Sequence, residues 1–510
     1  MPKSLFLSLF EELRVYILGF LSFRYILCCA SVCKALRQTY MSSSELQYIV
    51  ELSGQCLLPV SITGDHTPIS ERLQRLRDKA HAWLKFNVFA FQTGTLPIPF
   101  PNLRCSTGEY LYSWIHHSDL VTISPIPSKY PQQTIEHEWS PKTLCPSIFT
   151  QRVKYILMDP AQNLFGIMYI VDNMAYRIYL TTLDDGHVHP HAAGPALNLE
   201  LSVYAFDVKL KCYGRHIALW RDCETSRFLQ TPWHLQIWDW QHSTTSSRQH
   251  IHQCQFLFSR NDRLLVFDRE LELYSIEDTS KTPRLLARFQ LPFPLVNLES
   301  DHSSQPKMQT QAQSVYTSDP KHRLLCVYSL IDDVRKIFVI STKIFFDIDQ
   351  AAVKPWRYKP WRYGIPWQHW GPGHVRVLKY KARNKTKIHL CGNRVLLVDK
   401  ITSKTHAYKL RMMDFSPLAV ANRRGLGRVV KERSTTTSGS YSEWPDQSWD
   451  NITHWHSTIE KSMPYVEVVS SRKIAGGGWL QDVWMDDDRI YLVFVTSCSR
   501  DRKLQVIDIY

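Results

Sequence analysis

Cys254-Gln255-Phe256-Leu257-Phe258, a polar turn at Asn261-Asp262, then Leu264-Leu265-Val266-Phe267, Leu271-Glu272-Leu273-Tyr274 and Leu285-Leu286-Ala287-Arg288-Phe289 decide how this chain folds. Each run has the length of a strand and not of a helix, and turn signals separate the first three. The second run is apolar throughout, as a strand covered on both faces must be. The third alternates, as a strand with one covered face does.

The same order of strand, polar turn, buried strand, turn and alternating strand recurs along the chain. Tyr155-Ile156-Leu157-Met158 leads through Asp159-Pro160 to Leu164–Val171 and Tyr176–Leu180. Ala205–Val208 leads past Gly214 to His216–Trp220 and Leu235–Asp239. Later units hold Leu324–Tyr328 with Ile337–Ile340, Ile388–Leu390 with Val395–Val398, and Ile490–Phe494 with Leu504–Ile507. Residues 109–123 read as a further strand pair. Successive turns stand roughly fifty residues apart, the interval of propeller blades. The expected architecture is therefore α+β as a whole: a small all-α N-terminal part, then a large all-β domain over 105–510. That domain reads as a degenerate β-propeller of six or seven blades, with a β-sandwich or irregular all-β body as the alternative. The last strand is expected to close the ring against an early one. Insertions are expected at about 345–374 and 411–464.

The N-terminal part has a different period. Leu9, Leu13, Ile17 and Leu21 recur every four residues, with Leu18 and Phe20 beside them, and predict a helix with an apolar stripe. A second helix is expected to carry Ile26, Leu27, Ala30, Val32, Cys33 and Leu36 on its buried and binding faces. So short a segment cannot bury a large core alone, so the module is expected to need a partner. Ser70 is a plausible N-cap for a helix over 70–92, which makes 51–104 a helical linker.

The stretch Leu9–Leu21 followed by Ile26–Arg37 resembles an F-box. Gln38–Gly54, Ile69–Trp83, Pro366–Pro372, Gly427–Glu432 and Pro464–Val469 are similar to a large F-box family of mushroom-forming fungi. The family usually opens with Leu-Pro and holds an acidic residue before the second helix, where this chain has Phe10 and Tyr25. The resemblance implies an F-box over 1–50 that docks a Skp-type adaptor, and through it a cullin. Its contacts would be Leu9, Leu13, Ile17, Leu18, Leu21, Ile26, Leu27, Val32, Cys33 and Leu36. The chain would then be a non-catalytic substrate-recognition subunit of an SCF-type ubiquitin ligase, working in the cytoplasm or nucleus. An F-box scaffold outside ubiquitination and a propeller enzyme are the alternatives.

Composition agrees with a packed body: 44% of the 510 residues are hydrophobic and 12% aromatic. The net charge of +14 is spread without a run of five basic residues, so no specific nucleic-acid site is indicated. Twelve cysteines without a CxxC pair read as reduced thiols, and no apolar N-terminal stretch is long enough to span a membrane. His187, His189 and His191 alternate, as do His250, His252 and Cys254. The first sits beside Asp184-Asp185-Gly186 and Pro190, which reads as a turn, the second begins a strand and lacks fixed-distance partners, and neither a metal nor another cofactor is expected. No GxSxG, HExxH or phosphate-loop motif is present. The tandem Pro355-Trp356-Arg357-Tyr358 and Pro360-Trp361-Arg362-Tyr363 concentrates the residue types that anchor interfaces. Trp356, Arg357, Tyr358, Trp361, Arg362 and Tyr363 are accordingly the candidate contacts for a protein target.

Overall fold

The computed structural model describes residues 5–60, 66–86, 91–95, 103–105, 110–114, 121–125, 137–139, 153–159, 162–171, 175–200, 208–222, 233–246, 249–251, 255–260, 262–267, 270–291, 316–331, 334–348, 364–381, 386–401, 406–421, 425–431, 463–495 and 502–509. A small helical region comes first, and a large all-β domain follows.

The helices are α1 (Glu11–Gly19), α2 (Phe23–Val32), α3 (Lys34–Ser42), α4 (Ser44–Gly54) and α5 (Ile69–Lys85), with a 3-10 turn over Leu5–Ser8. Leu18, Ile26, Leu46 and Val50 form a common core between α1, α2 and α4. The Ser43 hydroxyl caps α4 by accepting from the Leu46 N–H at 3.2 Å. The expected first helix is shorter than its stripe, since Leu9 precedes α1 and Leu21 follows it. The expected second helix is divided, because Cys33 takes an extended conformation (φ −152°, ψ 163°) between α2 and α3.

Among the described residues there are eight antiparallel sheets; one is the two-stranded pairing of Leu57–Pro59 with Tyr316–Ser318, and the other seven follow in chain order. The first holds Leu103–Cys105, Tyr110–Trp114, Val121–Pro125 and His137–Trp139; the second Val153–Asp159, Leu164–Val171, Ala175–Thr182 and Ala196–Glu200. The third is built on Val208–Tyr213, His216–Asp222 and Trp233–Asp239, and the fourth on Gln255–Arg260, Arg263–Phe267, Leu271–Ser275 and Arg284–Phe289. Leu324–Ile331, Val334–Ser341 and Val375–Lys381 make the fifth. The sixth starts with Lys387–Cys391, Arg394–Lys400 and Ala407–Asp414 and adds Tyr465–Val469 and Arg428–Val430. The seventh joins Trp479–Met485, Arg489–Val495 and Arg502–Asp508 to the early strand Phe91–Thr95. In that last pairing Phe91 lies opposite Ile507 and Thr95 opposite Lys503.

Alternation explains the apolar second strands. Ile217 and Leu219 pack toward the second sheet, while Ala218 and Trp220 pack toward the fourth. Leu264 and Val266 face the third sheet; Leu265 and Phe267 face the fifth. Successive side chains of a strand point to opposite faces, so a strand between two neighbours is apolar at every position. Shared cores likewise join the fifth sheet to the sixth and the sixth to the seventh. Tight turns set the register: Gly214 and Gly392 open two-residue hairpin turns with φ of 55° and 56°.

The expected domain limits change. The 51–104 span is more than a helical linker: Leu57–Pro59 pairs with Tyr316–Ser318, and Phe91–Thr95 belongs to the seventh sheet. The 345–374 insertion ends in a helix, Trp367–His374, whose Trp367 and Trp370 are buried in the core between the fourth and fifth sheets. The 411–464 insertion begins inside the strand Ala407–Asp414 and includes the strand Arg428–Val430.

Candidate docking surface

Helix α1 has two apolar faces. Glu11 and Glu12 in its first turn oppose the positive end of the helix dipole and favour helix there. Val15 and Leu18 turn inward to the module's core. Leu13, Tyr16, Ile17 and Phe20, at i, i+3, i+4 and i+7, form a second stripe that is 47%, 67%, 41% and 74% exposed. Tyr16 and Phe20 meet edge to face, with ring centroids 4.9 Å apart. On α2, Tyr25, Cys28 and Val32 repeat the arrangement at i, i+3 and i+7, all exposed.

The concentration is marked. Of the fourteen exposed large hydrophobics among the described residues, nine lie between Leu5 and Met41. This local excess of exposed apolar side chains makes the module the candidate docking surface.

The expected contact residues therefore divide into three groups. Leu13, Ile17 and Val32 are exposed and available to a partner. Leu9, Leu21, Leu27 and Cys33 are half-buried. Leu18, Ile26 and Leu36 are buried, at 3%, 1% and 8% exposure, so they hold the module together and are not free to meet a partner. Phe10, Tyr16, Phe20, Tyr25 and Met41 are also exposed and were not among the expected contacts. The clue in α1 was the 13/16/17/20 spacing, which the stronger four-residue repeat from Leu9 to Leu21 obscured.

The opposite side of the helical region is fixed to the β domain. Asn393 donates its side-chain N–H to the Gln55 carbonyl at 3.2 Å, and Leu418 joins the core of α1, α2 and α4. Lys79 of α5 pairs with Asp488 at 2.7 Å and lies over the Tyr316 ring at 4.9 Å. Burial alone would lower the Lys79 ammonium, but Asp487, Asp488 and Tyr316 hold it above its ordinary value. At the end of α5, Trp83 and Phe86 enter the shared core of the sixth and seventh sheets.

The remaining candidates do not assemble into a described site. Residues 355–363, with Trp356, Arg357, Tyr358, Trp361, Arg362 and Tyr363, lie outside the described residues, as do His252 and Cys254. His189 is buried; its Nε2 lies 2.8 Å from the Gln162 carbonyl, and its Nδ1 accepts the His191 backbone N–H. His187 and His191 are exposed. Among the described residues, no three His, Cys, Asp or Glu side chains converge on one metal position, and no helix is long and apolar enough to cross a membrane.

No protein-family model and no curated protein matches the chain. Solved structures do resemble it. The β-propeller domain of the Trilobed protease from Pyrococcus furiosus is 9% identical, with a TM-score of 0.37 covering 80% of this chain and 94% of that one. The WD40 domain of SCAP from fission yeast is 8% identical, with a TM-score of 0.36 covering 80% and 84%. Acylaminoacyl peptidase from Pyrococcus horikoshii is 9% identical with a TM-score of 0.34; the match covers 77% of this chain but only 48% of the peptidase. These likenesses concern the fold alone.

Proposed function

We propose that this chain is the substrate-recognition subunit of an SCF-type ubiquitin ligase. In this reading α1–α3 dock a Skp-type adaptor and through it a cullin, while the β domain is a closed seven-bladed propeller that presents a protein target. The observation that carries the reading is the exposed stripe Leu13, Tyr16, Ile17 and Phe20, on a module whose other side is anchored to the β domain. Burying an apolar side chain of that size contributes about 1.5–3 kcal/mol, so a few such anchors sustain a docking interface. Supporting the ring are the shared cores of consecutive sheets and the pairing of Phe91–Thr95 with Arg502–Asp508.

Catalysis belongs to partner enzymes. The chain's contribution is proximity, holding a target lysine near the ubiquitin carrier. The tandem at 355–363 supplies the anchors for the target, and its deletion is expected to reduce target capture without affecting adaptor binding. The direct test is co-purification of the full chain with a recombinant Skp-type adaptor: a stoichiometric complex supports the reading, and two separate species overturn it. Stabilisation of a target protein when the chain is removed separates a ligase receptor from a scaffold.

A further inference from the structure

Between α4, α5 and the sixth sheet lies a cavity of about 320 Å³, within the size range of small-molecule sites. Val50, Ala80, Leu84 and Leu418 give it an apolar wall. Arg394, Asp414 and Ser416 are among its polar lining. The Arg394 guanidinium lies over the Trp83 ring, 4.9 Å from the centroid, and its Nε donates to Asp414 Oδ2 at 3.1 Å.

The hydrogen-bond balance at this end is uneven. Asp414 is satisfied on both oxygens, since Oδ1 accepts the Ser416 backbone N–H at 2.8 Å. The two terminal nitrogens of Arg394 donate to no described residue. The Ser416 hydroxyl oxygen accepts from the Ala419 N–H at 3.4 Å and keeps its own proton to donate. Asp414 and Asp487 both offset the Arg394 charge, so what this end offers a ligand is unspent N–H and O–H donors and not net positive charge. Across the cavity, Arg77 pairs with Glu51 at 3.1 Å, which leaves that wall neutral.

A planar guanidinium lying over an indole, with its terminal donors unspent, matches a two-oxygen acceptor. We infer that the cavity binds a small amphipathic carboxylate, with its oxygens on Arg394 and Ser416 and its apolar body against Val50, Leu84 and Leu418. Tyr40 and Met41 of α3 also line the cavity, so it adjoins the helices proposed to dock the adaptor.

The test is titration calorimetry and thermal melting of the full chain with phenylacetate, and with 2-phenylethylamine as a cation of similar shape. Phenylacetate is expected to give saturable heat and a rising Tm, and the amine neither. Ala80→Phe, which puts a ring into the cavity, is expected to abolish binding. Arg394→Lys keeps a cation for Asp414 but loses the fork, and is expected to weaken binding by about tenfold or more. No saturable heat with phenylacetate, an equal response to the amine, or wild-type affinity in both folded variants would overturn the inference.

Discussion

The indole N–H of Trp83 donates to the backbone carbonyl of Asp487 at 2.9 Å, joining residues 404 positions apart in sequence. One is in the last turns of α5; the other is in the turn between two strands of the seventh sheet. With Lys79 on Asp488 and Arg394 over the same indole ring, this contact makes the helical region and the β domain mechanically continuous. A partner held on α1 would therefore sit at a defined distance from anything held on the sheets.

Trp83 is fully buried, so Trp83→Ala removes a large side chain from the core together with its hydrogen bond to the Asp487 carbonyl. The expected loss of stability is about 3–5 kcal/mol. Equilibrium denaturation of the full chain measures it. A change below about 1 kcal/mol would mean that α5 is not anchored in this core.

Ending the chain at residue 501 removes Arg502–Asp508, which lies between Arg489–Val495 and Phe91–Thr95. Both neighbours then lose their ladder, and an apolar edge is exposed. Differential scanning calorimetry is expected to show a broadened transition with a clearly lower Tm. A sharp transition at the original Tm would argue against closure by the terminal strands.

Burial raises the Asp486 carboxyl to about 6, with Asp488 and Asp487 adding to the rise and hydrogen bonds from Tyr491 and the Asp488 N–H opposing it. The unfolded chain releases this proton near 3.8, the ordinary value. Between about pH 4 and 6 the folded state holds a proton that the unfolded state has lost, so this group's contribution falls as pH rises and levels off above 6. Asp486→Asn should remove that slope, which is worth roughly 1–3 kcal/mol, and still accept from the Asp488 and Arg489 N–H groups. Stability profiles of the two proteins across pH 4–7 make the comparison; parallel profiles would contradict it.

Much of the β domain was legible because its signal is local. Leu264–Phe267 and Val395–Val398 announce doubly covered strands through composition alone, Asn261-Asp262 marks the turn before the first of them, and Gly214 marks the turn before His216–Trp220. The early strand that pairs with the last one was harder, since Phe91-Gln92-Thr93-Gly94-Thr95 has little apolar content and its register comes from a partner at the far end of the chain. Trp367 and Trp370 stand in a Pro- and Gly-rich stretch that reads as a loop, yet tertiary packing buries both. In the helical region the apolar positions were found, but which of two apolar faces turns inward depends on α4, far from α1 in sequence.

Ile17 and Leu18 provide the most direct test of the docking account, because they are adjacent and differ in environment: Ile17 is 41% exposed and Leu18 is 3% exposed. The decisive measurement is the affinity of the full-length Ile17→Glu protein for a Skp-type adaptor, by titration calorimetry, with Leu18→Glu as the control for module unfolding. The account predicts that Ile17→Glu keeps the wild-type melting profile and loses affinity by about 30-fold or more, as removal of a hot-spot anchor does. Leu18→Glu should lower the stability of the helical region itself. An Ile17→Glu protein that binds the adaptor with unchanged affinity would contradict the account.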